Sequence, residues 1–316
     1  MPFTKDFCRL LVLGYCVVCV PTGAKGSDTA NPTDPIVTVK IKLDERSMIL
    51  VPVSLNGSAP YDFLLDTGCS RTIVDKKLAK ELGLLLVREV PVAGVLGPRK
   101  MQVAQVNTVS IGGATVHGGE VLSADHAANV AGRIHGILGE DFLRNFDVFI
   151  DYRHRVLRLE TAPGFMAEAS IGEHLQLQIA ETNHTGLTHN RLVVSGTIQE
   201  LGTASMSFLL DSGTNEITLF RDNPETRGYP KEPIQMGNLG HWSNLIATVL
   251  RIHSLNLGRT SVPNLQVLVL SHRDDVDTDG LLPTSLFHSL LISHTGRFVV
   301  LNPSFSDTNQ IELSAR

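Results

Sequence analysis

Cysteine, aromatic residues and net charge are all scarce in this 316-residue chain, and each scarcity narrows what it can be. Of four cysteines, Cys8, Cys16 and Cys19 lie within the first twenty residues, which leaves Cys69 alone in the body. A lone cysteine closes no internal disulfide, so stability must come from packing. No histidine stands near Cys69 in sequence to activate it, and a small buried cysteine is the ordinary outcome. The net charge is only −5, with lysine and arginine scattered, so the chain shows no electrostatic footprint for nucleic acid. Beyond residue 20 no apolar run approaches the roughly 20 residues that a spanning helix needs. The twelve histidines fall in no metal-binding spacing. There is no Gly-x-Ser-x-Gly elbow and no phosphate-cradling glycine loop. Asp275-Val276-Asp277-Thr278-Asp279-Gly280 resembles the start of a calcium loop, but Leu286 stands where a bidentate glutamate is required.

The first residues do carry a pattern. Lys5 and Arg9 precede an apolar run from Leu10 to Val20, followed by Pro21-Thr22-Gly23-Ala24 with small residues at Thr22 and Ala24. This is the layout of a secretory signal peptide over residues 1–24, which predicts export to a periplasm or to the outside. An uncleaved leader tethering the protein to a membrane is the alternative. Residues 25–35, polar and with two prolines, read as a linker.

The body is organised by one motif that occurs twice. Phe63-Leu64-Leu65-Asp66-Thr67-Gly68 returns as Phe208-Leu209-Leu210-Asp211-Ser212-Gly213, 145 residues on (211 − 66). Each copy is a short apolar run, read as a buried strand, ending in an acid, a small hydroxyl residue and a glycine, read as a tight turn. Four further landmarks repeat in the same order. Gly94-Val95-Leu96-Gly97 is echoed by Gly237-Asn238-Leu239-Gly240, and Ser110-Ile111-Gly112 by Asn256-Leu257-Gly258. Gly136-Ile137-Leu138-Gly139 is echoed by Gly280-Leu281-Leu282-Pro283, and Arg155–Leu159 by Arg297–Leu301. A near-constant offset across five landmarks marks a duplicated lobe, far too long for a solenoid repeat.

The first lobe spans 36–160, a connector 161–173, the second lobe 174–303, and 304–316 reads as a loose tail. Alternating apolar residues predict strands at 37–43 and 48–55, with a turn at Asn56-Gly57. Asp75 to Leu82 predicts a helix stopped by Gly83. Residues 87–109 read as a hairpin broken at Gly97-Pro98, 139–144 as a short helix, and 146–159 as two strands. The second lobe repeats this plan, with strands at 175–179, 191–198, 206–210, 245–257 and 265–270. It lacks the helix, and the polar, proline-rich segment 222–233 stands after its motif. The sum is all-β, in two barrel-like lobes with few short helices.

Asp-Thr/Ser-Gly after an apolar strand, answered some 70 residues later by two aliphatics and a glycine, resembles an aspartic protease lobe of the pepsin and retropepsin type. With two lobes in one chain, residues 36–303 look most like the bacterial retropepsin-like proteins. The resemblance implies an aspartic endopeptidase in which Asp66 and Asp211 share one proton and activate a water. It implies that Thr67 and Ser212 hydrogen-bond across the lobe junction. Gly68 and Gly213 would let backbone N–H groups approach the acids, with Ile137-Leu138 and Leu281-Leu282 packed behind. It further implies a peptide or protein substrate, no cofactor, no metal and a monomer. Trp242, the large aromatic near a flap, is the candidate substrate-covering residue. Three positions depart from the family pattern: Pro283 replaces the glycine found at Gly139, and Cys69 and Thr214 follow the two motif glycines. Proline has no N–H to donate, which opens a second reading, a peptide-binding relative without catalysis.

Overall fold

The computed structural model describes residues 18–19, 36–44, 46–93, 99–125, 134–161, 170–178, 181–182, 187–188, 191–202, 204–220, 232–235, 246–270 and 278–305. Most of these lie in strands, and the α-helices among them are Lys76–Glu81 and Glu140–Leu143. No helix among the described residues is long and apolar enough to cross a membrane.

Each lobe closes a six-stranded barrel. In the first, the ring runs Ile49–Leu55, Tyr61–Leu65, Gly136–Leu138, Ile73–Asp75, Ala114–Ala124 and Arg99–Ile111. It shuts where Ser54 and Leu55 pair with Ser110 and Val109. The second ring has the same order: Val193–Ile198, Met206–Asp211, Gly280–Pro283, Ile217–Phe220, Thr260–Leu270 and Ile246–Leu257. It shuts where Thr197 and Ile198 pair with Asn256 and Leu255. The duplication legible in the sequence is therefore a duplication of topology, strand for strand.

The residue pattern explains the placement of the motif strands. Ile49–Leu55 alternates, burying Ile49, Val51, Val53 and Leu55 on the barrel side. Phe63, Leu64 and Leu65 do not alternate, because that strand is covered on both faces. Phe63 and Leu65 point into the main core, while Leu64 joins Ile137, Cys69 and Ile73 in a second apolar cluster. The turn at Asn56-Gly57 has positive φ at both residues (51° and 74°), the geometry of a tight hairpin. The helix Lys76–Glu81 is capped by the Asp75 carboxylate, which accepts from Lys77 N–H at 2.8 Å. Gly83 (φ 63°) follows its end.

A third sheet joins the lobes. Its six strands run His174–Gln176, Phe298–Leu301, Ser289–Ser293, Asp147–Asp151, Val156–Glu160 and Ile36–Lys40. The two central strands, one from each lobe, pair antiparallel from Val148↔Ile292 to Asp151↔Ser289. The landmarks that repeat late in each half, Arg155–Leu159 and Arg297–Leu301, lie on the strands that flank this central pair on either side.

Two expectations change in detail. The tail is not loose from its first residue: Ser304–Phe305 pairs with Ser170–Ile171, so the end of the connector and the start of the tail form one small sheet. Two-residue strands are too short to carry a periodic signal, which is why the sequence hides them. After Gly213 the chain enters the strand Ile217–Phe220 within a few residues. Of the polar segment 222–233, all but its last two residues lie outside the described residues, as do Gly94–Gly97, Gly237–Trp242 and Asp275–Asp277. Of residues 1–24, only Val18–Cys19 is described, paired with Val92–Ala93.

Candidate active site

Both motif strands end at the same seam. Tyr61–Leu65 runs parallel to Gly136–Leu138, and Asp66 N–H extends this ladder by donating to the Leu138 carbonyl at 3.0 Å. In the second lobe Phe208–Asp211 runs parallel to Gly280–Pro283 in the same register. The chain then turns back on itself. Gly68 N–H donates to Asp66 Oδ1 at 2.9 Å, and Gly213 N–H donates to Asp211 Oδ1 at 2.7 Å. Each acid is thus pinned by its own turn.

The turns interlock across the lobes. Thr67 N–H donates to Ser212 Oγ and Ser212 N–H to Thr67 Oγ1, both at 3.0 Å. The two hydroxyls in turn donate to the carbonyls of Leu210 and Leu65, both at 2.8 Å. The glycines are required by what faces them. A Cβ on Gly68 would stand 2.5 Å from Asp211 Cγ, and one on Gly213 would stand 2.4 Å from Asp66 Cγ. Each acid therefore lies against the backbone of the other lobe's turn, in space that a side chain would fill.

Asp66 and Asp211 are both fully buried. Their Oδ2 atoms have no hydrogen-bond partner among the described residues. Burial holds both groups above the usual carboxylate range, and for Asp66 the facing Asp211 charge adds to it. Gly213 N–H, Asp66 and the charge of buried Arg191 partly oppose the rise at Asp211. Two buried acids at one seam, both with raised pKa values, are groups that can hold and release protons at nearly the same point.

The structure thus brings together Asp66, Thr67, Gly68, Asp211, Ser212 and Gly213, and packs Ile137, Leu138, Leu281 and Leu282 behind them, all buried. Trp242 lies outside the described residues. Cys69 and Thr214 turn away from the acids: Cys69 Sγ donates to the Arg71 carbonyl at 3.0 Å and Thr214 Oγ1 to the Glu216 carbonyl at 3.3 Å. Pro283 withdraws no bond from Asp211. In the first lobe the corresponding Gly139 N–H goes to Thr72 Oγ1 at 3.3 Å, and the counterpart of Thr72 is Ile217, which has no hydroxyl. Asp279, from the calcium-like stretch, accepts from the N–H and hydroxyl of Ser207. Among the described residues no three metal-ligating side chains cluster.

Sequence reasoning missed Arg191, whose charge acts on Asp211. A single arginine at the start of a strand carries no signal that it is buried beside an acid 20 residues away.

The comparisons with known proteins agree with this geometry. Residues 51–142 match the family described as aspartyl protease. No curated protein sequence is significantly similar to the chain. An aspartic proteinase from Irpex lacteus has a similar structure, with a TM-score of 0.55 at 14% identity, covering 86% of this chain and 98% of that one. A retropepsin-like aspartic protease from Rickettsia conorii aligns over 45% of this chain and all of its own, at 19% identity and a TM-score of 0.30. Residues 51–142 of the first lobe are thus similar to the aspartyl protease family, and the two-lobed fold is similar to that of the Irpex lacteus aspartic proteinase.

Proposed function

We propose that the protein is an aspartic endopeptidase in which Asp66 and Asp211 act as one catalytic dyad. The observation that carries this reading is the placement of two fully buried carboxyls, each lying against the motif glycine of the other lobe and each with an Oδ2 that has no partner among the described residues. In the singly protonated pair, the ionised acid takes a proton from a water, which attacks the peptide carbonyl. The protonated acid donates to the carbonyl oxygen as charge develops there, and a proton is then returned to the leaving nitrogen. Which residue is acid and which is base belongs to the pair and not to either member. Thr67 and Ser212 hold the two turns in register, and Gly68 and Gly213 N–H groups stabilise the negative charge on Oδ1.

The leader read at residues 1–24 makes this an exported enzyme, and sequencing the N-terminus of the mature protein tests that. The activity is tested by incubating purified protein with a mixed peptide library from mildly acidic to neutral pH. Wild type is expected to cleave, and Asp66→Asn and Asp211→Asn each to lose at least ~10²-fold. Near-wild-type cleavage by either variant sinks the dyad. Tight peptide binding without cleavage by wild type would select the non-catalytic reading that Pro283 first suggested.

A further inference from the structure

The interlocked turns are not the only link between the two halves of the dyad. Glu140 follows the Gly136–Gly139 segment, and its N–H donates to the Cys69 carbonyl at 2.8 Å, which fixes it to the Asp66 turn. Its side chain crosses the seam. Glu140 Oε2 lies 2.9 Å from Nε2 of His294, which stands just past the central strand Ser289–Ser293 of the second lobe. His294 Nδ1 lies 2.6 Å from the Phe146 carbonyl. Both ring nitrogens therefore face acceptors, an arrangement that the doubly protonated, cationic imidazole satisfies. The pair is almost wholly enclosed, with side chains 8% and 4% exposed.

The second lobe has the counterpart of this arrangement at the other end of the same two strands. Thr284, buried, follows Pro283 as Glu140 follows Gly139. Its hydroxyl is in close hydrogen-bond contact with the hydroxyl of Tyr152, just past the first lobe's strand Asp147–Asp151. Tyr152 backbone N–H donates to the His288 carbonyl at 2.9 Å, across the same pair of strands where the His294 ring meets the Phe146 carbonyl. So Glu140 and Thr284 are equivalent positions, and His294 and Tyr152 are equivalent positions. One clasp is ionic and the other neutral.

We propose that His294 and Tyr152 are positioning residues, each holding the segment behind the opposite lobe's aspartate so that the two acids keep contact. The proposal rests on the dyad reading above. The groups that face His294 among the described residues are Glu140 on the short helix and Asp147 at the head of the central strand, with Glu160 across from Asp147 on the next strand. Burial opposes the charge on His294, but Glu140, the Phe146 carbonyl and Asp147 outweigh it and hold its pKa above the ordinary value. The ionic clasp thus survives to higher pH than an ordinary histidine would allow and is released as the pH climbs past that raised pKa. Tyr152 senses Asp211 directly: burial comes first in raising its pKa, and the Asp211 charge adds to the rise while the bond to Thr284 opposes it.

The test uses Glu140→Gln, which keeps shape and a hydrogen bond but no charge, and Tyr152→Phe, which deletes one oxygen. Two readouts are taken: kcat and KM across pH, and ¹³C-carboxyl titration of Asp66 and Asp211, which needs no turnover. Both variants are expected to lower kcat about tenfold with KM within about twofold, as misplacement of reacting groups does. Both are expected to shift the apparent pKa values of the acid pair. In Glu140→Gln the alkaline limb of kcat should also move. A loss of melting temperature alone, with kcat profile and carboxyl titration unchanged, overturns the proposal and leaves the dyad reading standing. Failure of the dyad reading shows itself differently, as undiminished cleavage by Asp66→Asn.

Discussion

Thr67 and Ser212 exchange two hydrogen bonds of 3.0 Å across the lobe seam, each hydroxyl accepting from the other's backbone N–H while donating to a carbonyl of the opposite strand. All four bonds are buried, so removing one hydroxyl strands a donor and an acceptor together. Thr67→Val keeps the shape and should cost roughly 2 to 4 kcal/mol in chemical denaturation. Thr67→Ser should cost far less, because the hydroxyl survives. The double variant Thr67→Val/Ser212→Ala should lose less than the sum of the two single losses, since the groups form one network. Strict additivity would show that the interlock does not act as a unit.

The dyad itself should lower stability at neutral pH. Both acids have folded-state pKa values above the unfolded value, Asp211 at about 6. The folded state then binds protons that the unfolded chain has released, so stability falls as the pH rises from the unfolded carboxylate pKa through the folded ones. An uncharged amide in either place escapes this cost. Asp66→Asn and Asp211→Asn are expected to abolish cleavage while raising stability at neutral pH, for Asp211→Asn by roughly 1 to 3 kcal/mol from its rise to about 6. The gain should shrink toward zero in acid. Thermal melts at several pH values measure it, and a variant less stable than wild type at neutral pH contradicts the account.

How much of this was legible beforehand follows from the reach of each signal. Asp66 and Asp211 announce themselves because an apolar run ending in acid, hydroxyl and glycine is local and occurs twice. The barrels follow from the alternation in Ile49–Leu55 and from the turn residues at Asn56-Gly57. The clasps are different. Glu140 and His294 are 154 residues apart, and their counterparts Thr284 and Tyr152 are different residue types. No periodicity joins them, and the repeat keeps their positions without keeping their chemistry. Arg191 is hidden for a related reason: burial of a single charge is decided by what the other strand brings.

Gly68 and Gly213 are expected to tolerate no side chain at all. The built Cβ positions fall within 2.5 Å of the opposing carboxyl carbon, well inside contact distance. Since each carboxyl is pinned by its own turn, relief must come from parting the two acids. Gly68→Ala and Gly213→Ala should each cut kcat by ~10²-fold or more while leaving a folded protein. Circular dichroism and kinetics on the same sample decide it: a folded Gly68→Ala with wild-type kcat would mean the acids need no such closeness.

Pro283 offers the sharpest test of whether the second half-site is sound. Proline fixes φ near −65° and lacks an N–H, and Pro283 sits at φ −63°, so the ring is unstrained. The donor it lacks would have no partner, because Ile217 occupies the place where Thr72 Oγ1 accepts from Gly139 in the first lobe. The Gly213 bond to Asp211 is formed regardless, at 2.7 Å. Pro283→Gly, restoring the first lobe's residue, should therefore change kcat by no more than about twofold. It should also destabilise the fold by about 0.5 to 1 kcal/mol, through the greater freedom of the unfolded chain. Peptide-cleavage rates and urea denaturation of the two proteins check both figures. An inactive wild type that gains cleavage on Pro283→Gly would show the proline to be what silences the site, and would turn the wild-type protein into a binder of peptides.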